Sequence, residues 1–360
     1  MSRPVCARLD GSALRHNFQL VRKLAPESKI LAVVKADAYG HGLEWVASQL
    51  LQADGFAVAS IEEGIRLREA GIGEPVIMLS GFFSADELLL LTGYQLTPVV
   101  HSPWQVDVLE ARVDKRPIDV WLKFDSGMHR LGFDETQCAS AYQRLQQLDH
   151  VRIAGLMTHF ANADNPRDAT TKEQIDSFAR LRDRLGNGQA SLGNSAGIVG
   201  WPQCHQDWVR PGIMLYGSSP VLGKSADELG LEPVMYFESR LISVSQRKAG
   251  DRIGYGGDWL CAEDMTVGVV AAGYGDGYPR HAPPGTPVAV KGVRVPLIGR
   301  VSMDLITVDL SSVADATVGD PVELWGGTVH VDEIALLSNT IAYELMCHVT
   351  SRVPRLPIAV

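Results

Sequence analysis

The segment Ile30–Val34, ILAVV, is built from residues that belong in a protein interior, and it runs straight into Lys35 and the turn ADAYGHG. An ammonium group carried into such surroundings must be paired, neutralised or used. Desolvation penalises the charged form, so a lysine there loses basicity, and its free amine can condense with an aldehyde such as that of pyridoxal phosphate. Tyr39 and two glycines follow at once, bringing a phenol and approachable backbone N–H groups to a place suited to a phosphate. Two later segments offer more of the same: GNSAG, with Ser195, and VRPGIMLYG, with Gly212 and Ile213. WLKFDSGMHRLGF adds Lys123 and Arg130, and LMTHF adds His159. No second histidine stands at metal-ligand spacing, so no metal is expected. GKS at 223–225 is not a nucleotide loop, because Gly217 lies one residue too far upstream. Singly, each feature also fits an ordinary role, as a packed lysine stem, a hydrogen-bonded core histidine or a loop.

The elements that must carry these residues come in two textures. Between residues 30 and 217, eight short apolar runs (ILAVV, GFAVAS, PVIMLS, LTPVV, IDVWLKF, VRIAGLM, QASLG and GIMLYG) alternate with segments of helical period. Leu43, Val46, Ala47, Leu50 and Leu51 fall on one helical stripe, as do Ile175, Phe178, Leu181 and Leu185. Eight strands each followed by a helix predict an α/β fold, a closed (β/α)8 TIM-like barrel whose chemistry sits at the carboxyl ends of the strands, where Lys35 falls. Beyond about residue 230, short Val-rich runs alternate with Gly, Pro and Asp turns, which predicts a mostly β C-terminal domain. The expected division is a barrel over residues 1–230 and a β domain over 231–360, joined through SSPVLGKSADELGLEP. The β domain carries Tyr255 in RIGYGG, Tyr274 in GYGDGYPR and Met303 in GRVSMD.

Composition narrows the setting. With 46% apolar and 21% charged residues the chain is an ordinary globular one, and a net charge of −9 leaves no cationic excess for nucleic acid. No apolar window has the length of a signal peptide core or a membrane span, so a cytoplasmic protein without a membrane role is expected. Five isolated cysteines are expected to be reduced and mostly structural.

Eight strings, VVKADAYGHG, KFDSGMHRLGF, NSAG, DWVRPGIMLYG, RIGYGG, GYGDGYPR, GRVSMD and YELMC, occur in an order that closely resembles bacterial alanine racemases, the two-domain fold-type III pyridoxal phosphate enzymes. The resemblance runs essentially end to end. It implies that Lys35 carries the cofactor as a Schiff base, that Tyr39, Ser195, the backbone of Gly212 and Ile213, and Tyr343 bind its phosphate, and that Arg210 faces the pyridine nitrogen. Inverting Cα needs a base on each face. By resemblance these are Lys35, acting on the D-enantiomer, and Tyr255 of the partner subunit, acting on the L-enantiomer, with His159 between Tyr255 and Arg210; a homodimer with shared sites follows. Arg130 would hold the substrate carboxylate, with a backbone contact from Met303 of the partner subunit. Lys123 resembles a lysine that becomes carbamylated, and Tyr274 and Tyr343 an aromatic constriction that favours alanine. Ser302 and Ala342 depart from the commoner Cys and Thr of the family.

Three rivals remain at this stage. A fold-type III amino-acid decarboxylase would set an acid where Arg210 stands, and a non-catalytic pyridoxal phosphate carrier would lack residues 231–360. A serine or broad-specificity racemase differs by a pocket preference of only ~10–200-fold. Peptidoglycan precursor supply is the expected role, with alanine catabolism the alternative that the sequence leaves open.

Overall fold

In a computed structural model, which describes residues 3–186 and 188–358, eight parallel strands close into a barrel. They are β2 (Lys29–Val33), β3 (Gly55–Val58), β4 (Val76–Met78), β5 (Leu96–Val100), β6 (Ile118–Lys123), β7 (Val151–Met157), β8 (Ala190–Asn194) and β9 (Trp208–Arg210), and β9 closes on β2 through Lys29–Trp208 and Ile30–Val209. β3 and β4 are buried along their whole length, as strands packed inside and covered by helices outside must be. The helices start where their capping residues dictate. Ser60 and Glu63 form a reciprocal capping box on Ile61–Glu69, and Asp10 caps Gly11–Leu24 by accepting from the Ser12 and Ala13 amides. Of the expected helical stripe, Leu43, Val46, Ala47 and Leu50 are buried, whereas Leu51 lies beyond the end of Leu43–Gln49 and is exposed.

The eighth strand is not where the apolar run GIMLYG suggests. Residues Ile213–Tyr216 form a 3-10 turn, and the barrel closes with Trp208–Arg210 just before it. Pro211 has no N–H to continue a ladder, and Gly212, at φ −124° and ψ −95°, turns the chain inward. Ile213–Tyr216 is apolar because it is buried on all sides, which a short run cannot distinguish from a strand.

The remainder is a mostly β domain. β10 (Met235–Arg247) pairs along successive stretches with Pro321–Trp325 and with Met265–Val270, and the strands Pro287–Val290, Val293–Ile298 and Ile306–Asp309 complete the arc between them. β10 shifts register between Leu241 and Ser243, which lets one strand serve both edges. Two short helices, Val331–Leu337 and Ala342–Cys347, bring the chain back over the barrel mouth. The chain does not divide simply at residue 230: β1 (Cys6–Leu9) pairs antiparallel with β10 and parallel with Arg355–Pro357, so the amino terminus is a strand of the second unit's sheet. The linker is packed rather than free. Buried Asn17 donates to the carbonyls of Leu215 and Glu232 and accepts from the Glu232 amide, fastening it to the first helix. No helix among the described residues is long and apolar enough to cross a membrane.

Candidate active site

A cavity of about 510 Å³ opens at the carboxyl end of the barrel. Lys35 enters it just after β2, Lys123 at the end of β6, Thr158 and His159 after β7, Asn194 and Ser195 where β8 meets the helix Ser195–Gly200, and Arg210 at the end of β9. Tyr343 and Cys347 reach it from Ala342–Cys347 of the β domain. Four cationic side chains, Lys35, Lys123, Arg130 and Arg210, line this space, and none of the described lining residues is Asp or Glu. An excess of positive charge in a confined cavity selects anions, a phosphate and a carboxylate among them.

Lys35 sits on an uncommon piece of backbone. Ala36, Asp37, Ala38 and Tyr39 all have φ between +52° and +54°, a full turn of left-handed helix in L-residues other than glycine, and Gly40 follows at φ +78°. At about 1–2 kcal/mol per residue, four such residues cost about 4–8 kcal/mol, so surrounding structure must hold the turn. Its amides are bonded inwardly, Ala38 N to Val34 O at 2.8 Å and Gly42 N to Asp37 O at 2.9 Å. Glu63, besides capping its own helix, accepts from Asp37 N at 3.1 Å, and Asp37 in turn accepts from Leu43 N and from Arg66. The result aims Lys35 into the cavity and turns the Tyr39 phenol toward Gly212, where an added Cβ would lie 2.5 Å from its oxygen. Ser195 Oγ accepts from Gly212 N at 2.8 Å and lies 3.4 Å from Met214 N. The Ser195 hydroxyl, held by the Gly212 and Met214 amides, and the Tyr39 phenol beside Gly212 thus gather on one side of the cavity, two O–H donors suited to a phosphate.

The charges in the cavity perturb one another. Burial and then the Arg130 cation lower the basicity of Lys35. Lys123 is brought down to about 8 by burial, with Arg210 and Arg130 adding repulsion. Burial followed by the Arg210 charge holds His159 well below the ordinary imidazole range, so its ring is neutral. Arg210 itself is buried among neutral acceptors only. It donates to Ser191 Oγ at 2.7 Å, Thr158 O at 2.6 Å and Leu192 O at 3.2 Å, and its Nη2 lies 3.3 Å from His159 Nδ1. A guanidinium only donates, so Nδ1 accepts and the imidazole proton sits on Nε2.

Ten of the residues singled out from sequence meet in this cavity: Lys35, Tyr39, Lys123, Arg130, His159, Ser195, Arg210, Gly212, Ile213 and Tyr343. Tyr255 and Met303 do not. They stand on the β domain, 68% and 54% exposed, outside the cavity of their own chain. Sequence reasoning passed over Ser80, Thr158, Asn194 and Cys347, all in the lining. Asn194 was visible within GNSAG, where it caps its helix by accepting from Gly197 N. Cys347 carried no signal beyond its place in YELMC, and it lies on the cavity wall rather than in the core.

The fold and site define a barrel protein with an appended β domain and an amine-bearing, cation-lined cavity where the two meet. Residues 9–220 match the family model for the alanine racemase N-terminal domain, and residues 234–357 that for the C-terminal domain. The alanine racemase of Nitrosococcus oceani is 51% identical over 350 residues, 97% of this chain and 98% of its own length. A catabolic alanine racemase of Pseudomonas putida is 50% identical over 98% of each chain. The crystal structure of the biosynthetic alanine racemase from Pseudomonas aeruginosa superposes with a TM-score of 0.96 at 46% identity, covering 99% of this chain and 100% of that one. The chain belongs to the alanine racemase family of isomerases.

Proposed function

We propose that the protein interconverts L- and D-alanine with pyridoxal 5′-phosphate, using two bases supplied by the two subunits of a cytoplasmic homodimer. The observation that carries this reading is Lys35, its basicity lowered, in a cavity lined by three further cations, Arg210 among them, and no described carboxylate. The cofactor, when bound, would make the alanine Cα–H acidic by drawing its electrons into the ring.

This chain's residues do the rest. Lys35 would hold the cofactor through its amine and, when free of it, exchange a proton on one face of Cα. Tyr255 of the partner subunit would serve the opposite face, since one base cannot reach both. Tyr39, Ser195, the Gly212 and Ile213 backbone and Tyr343 would bind the phosphate. Arg210, which can donate but never accept, would keep the ring nitrogen unprotonated. His159 would relay the influence of Arg210 to the phenol. Arg130 would pair the substrate carboxylate, assisted by the Met303 backbone of the partner subunit. Lys123, partly neutral near pH 8, is a ready acceptor for CO2, and as a carbamate it would become an anion able to orient Arg130. Tyr274 and Tyr343 would narrow the entrance to a methyl-sized side chain. Relatives of both catabolic and biosynthetic description are similar to the chain, and either role uses this chemistry.

Borohydride reduction of the loaded protein, followed by peptide mapping, should place the cofactor on Lys35; a label on any other lysine refutes the assignment. In deuterated water, L-alanine should lose optical rotation as its Cα takes up deuterium, and exchange without inversion would remove the second base.

A further inference from the structure

The left-handed turn beneath Lys35 is finished by a side chain that the proposed chemistry leaves unused. His41 is fully buried. Its Nδ1 lies 2.9 Å from the Tyr39 carbonyl oxygen and 3.1 Å from that of Ala38, and its own backbone N–H reaches the Ala38 oxygen at 3.1 Å. Carbonyl oxygens only accept, so Nδ1 carries the proton and the imidazole is the donor. Among the hydrogen bonds of the described residues, His41 is the one donor that reaches the Tyr39 carbonyl. Burial holds the ring's basicity down to about 4, so it is neutral at neutral pH.

The same imidazole ends an aromatic column. It packs against the Tyr216 ring at 4.7 Å between centroids, and Tyr216 stacks on Tyr39 at 4.6 Å with 27° between planes. The Tyr216 hydroxyl donates to Val33 O at 3.0 Å, the last residue of β2. Both ends of the turn are thereby tied to one stack, the strand end by the Tyr216 hydroxyl and the Tyr39 end by its ring and carbonyl.

We infer that His41 is a positioning residue for Lys35 and Tyr39: its Nδ1–H closes the left-handed turn and, through Tyr216, fixes the phenol that faces Gly212. The inference rests on the proposed function only in naming Lys35 and Tyr39 as cofactor ligands; the latch itself is a property of the cofactor-free chain.

The test compares His41→Leu, which keeps apolar bulk and removes the donor, with His41→Asn, which keeps an N–H donor. Hydrogen exchange of the amides of residues 36–43 in the cofactor-free protein should be about tenfold or more faster in the Leu variant, with the barrel strands unchanged, and largely restored in the Asn variant. Pyridoxal phosphate, titrated by absorbance, should bind about tenfold more weakly to the Leu variant, with the same rescue. Wild-type exchange and affinity in His41→Leu would overturn the inference. If that variant does not fold, His41→Met replaces it, since a thioether fills the site and has no hydrogen to donate; equal exchange in Met and Asn variants would overturn the inference as well. Should wild-type protein take up no cofactor at Lys35, the proposed function fails while the exchange comparison still decides what His41 does.

Discussion

A buried amine crowded by cations is an unstable arrangement, and Lys123 shows how the protein lives with it. It is 9% exposed, and Arg210, Arg130 and Lys35 all repel its charge, a repulsion that Asp125 offsets only in part. Its folded value of about 8 lies below the 10.5 of an unhindered lysine, so the unfolded chain holds this proton more tightly than the folded one. The cost to stability is therefore complete below pH 8, shrinks as pH rises between about 8 and 10.5, and vanishes above. In cofactor-free protein kept in CO2-depleted buffer, Lys123→Met should raise unfolding free energy by about 3 kcal/mol at pH 7 and by nearly nothing above about pH 10.5. Urea titrations at the two pH values check this, and a gain independent of pH would mean that the repulsion described here is not what Lys123 feels. Residues of this kind were legible because a charge interrupting or ending an apolar run demands an explanation. Cys347, Ser80 and Thr158 were not, since small polar and thiol side chains are equally at home in any core.

At the scale of elements, most of the barrel could be read from alternation, because parallel strands covered on both faces leave uninterrupted apolar runs. The exception, GIMLYG, shows the limit of that signal, since burial alone writes the same letters as a strand. The left-handed turn was beyond reach for another reason. Alanine and tyrosine have no preference for positive φ, so its conformation is imposed by Glu63 and Tyr216, distant in sequence, together with His41 just beyond its end. Gly212 is the place where this imposed geometry meets the opposite wall. Gly212→Ala would set a methyl 2.5 Å from the Tyr39 oxygen, forcing the phenol away. Affinity for pyridoxal phosphate should fall by about tenfold to a hundredfold, a loss of about 1.4–2.7 kcal/mol, with little change in melting temperature. Unchanged affinity in an absorbance titration would show that Tyr39 has room to move and does not define the phosphate pocket.

For the whole molecule, Tyr255 and Met303 stand exposed and outside the cavity of their own chain, as the proposed sharing of the site between two chains requires. Neither Lys35→Ala nor Tyr255→Phe should racemise alanine alone. Co-expressed, they should form mixed dimers in which one of two sites keeps both bases, giving about a quarter of wild-type activity under random pairing. No recovery from mixed dimers isolated as such would place both bases on one chain. That division was legible only through family resemblance, because an exposed tyrosine in a Gly-rich turn says nothing by itself. The amino-terminal strand has a consequence of its own. β1 lies between β10 and Arg355–Pro357, so the second unit's sheet holds the earliest and latest residues of the chain side by side. During synthesis the ribosome releases the first strand long before its neighbours exist, and a cut near residue 230 would strand it with the wrong fragment. Neither half inherits a complete set of folding partners, and the enzyme must mature as one cooperative object rather than as two modules in series.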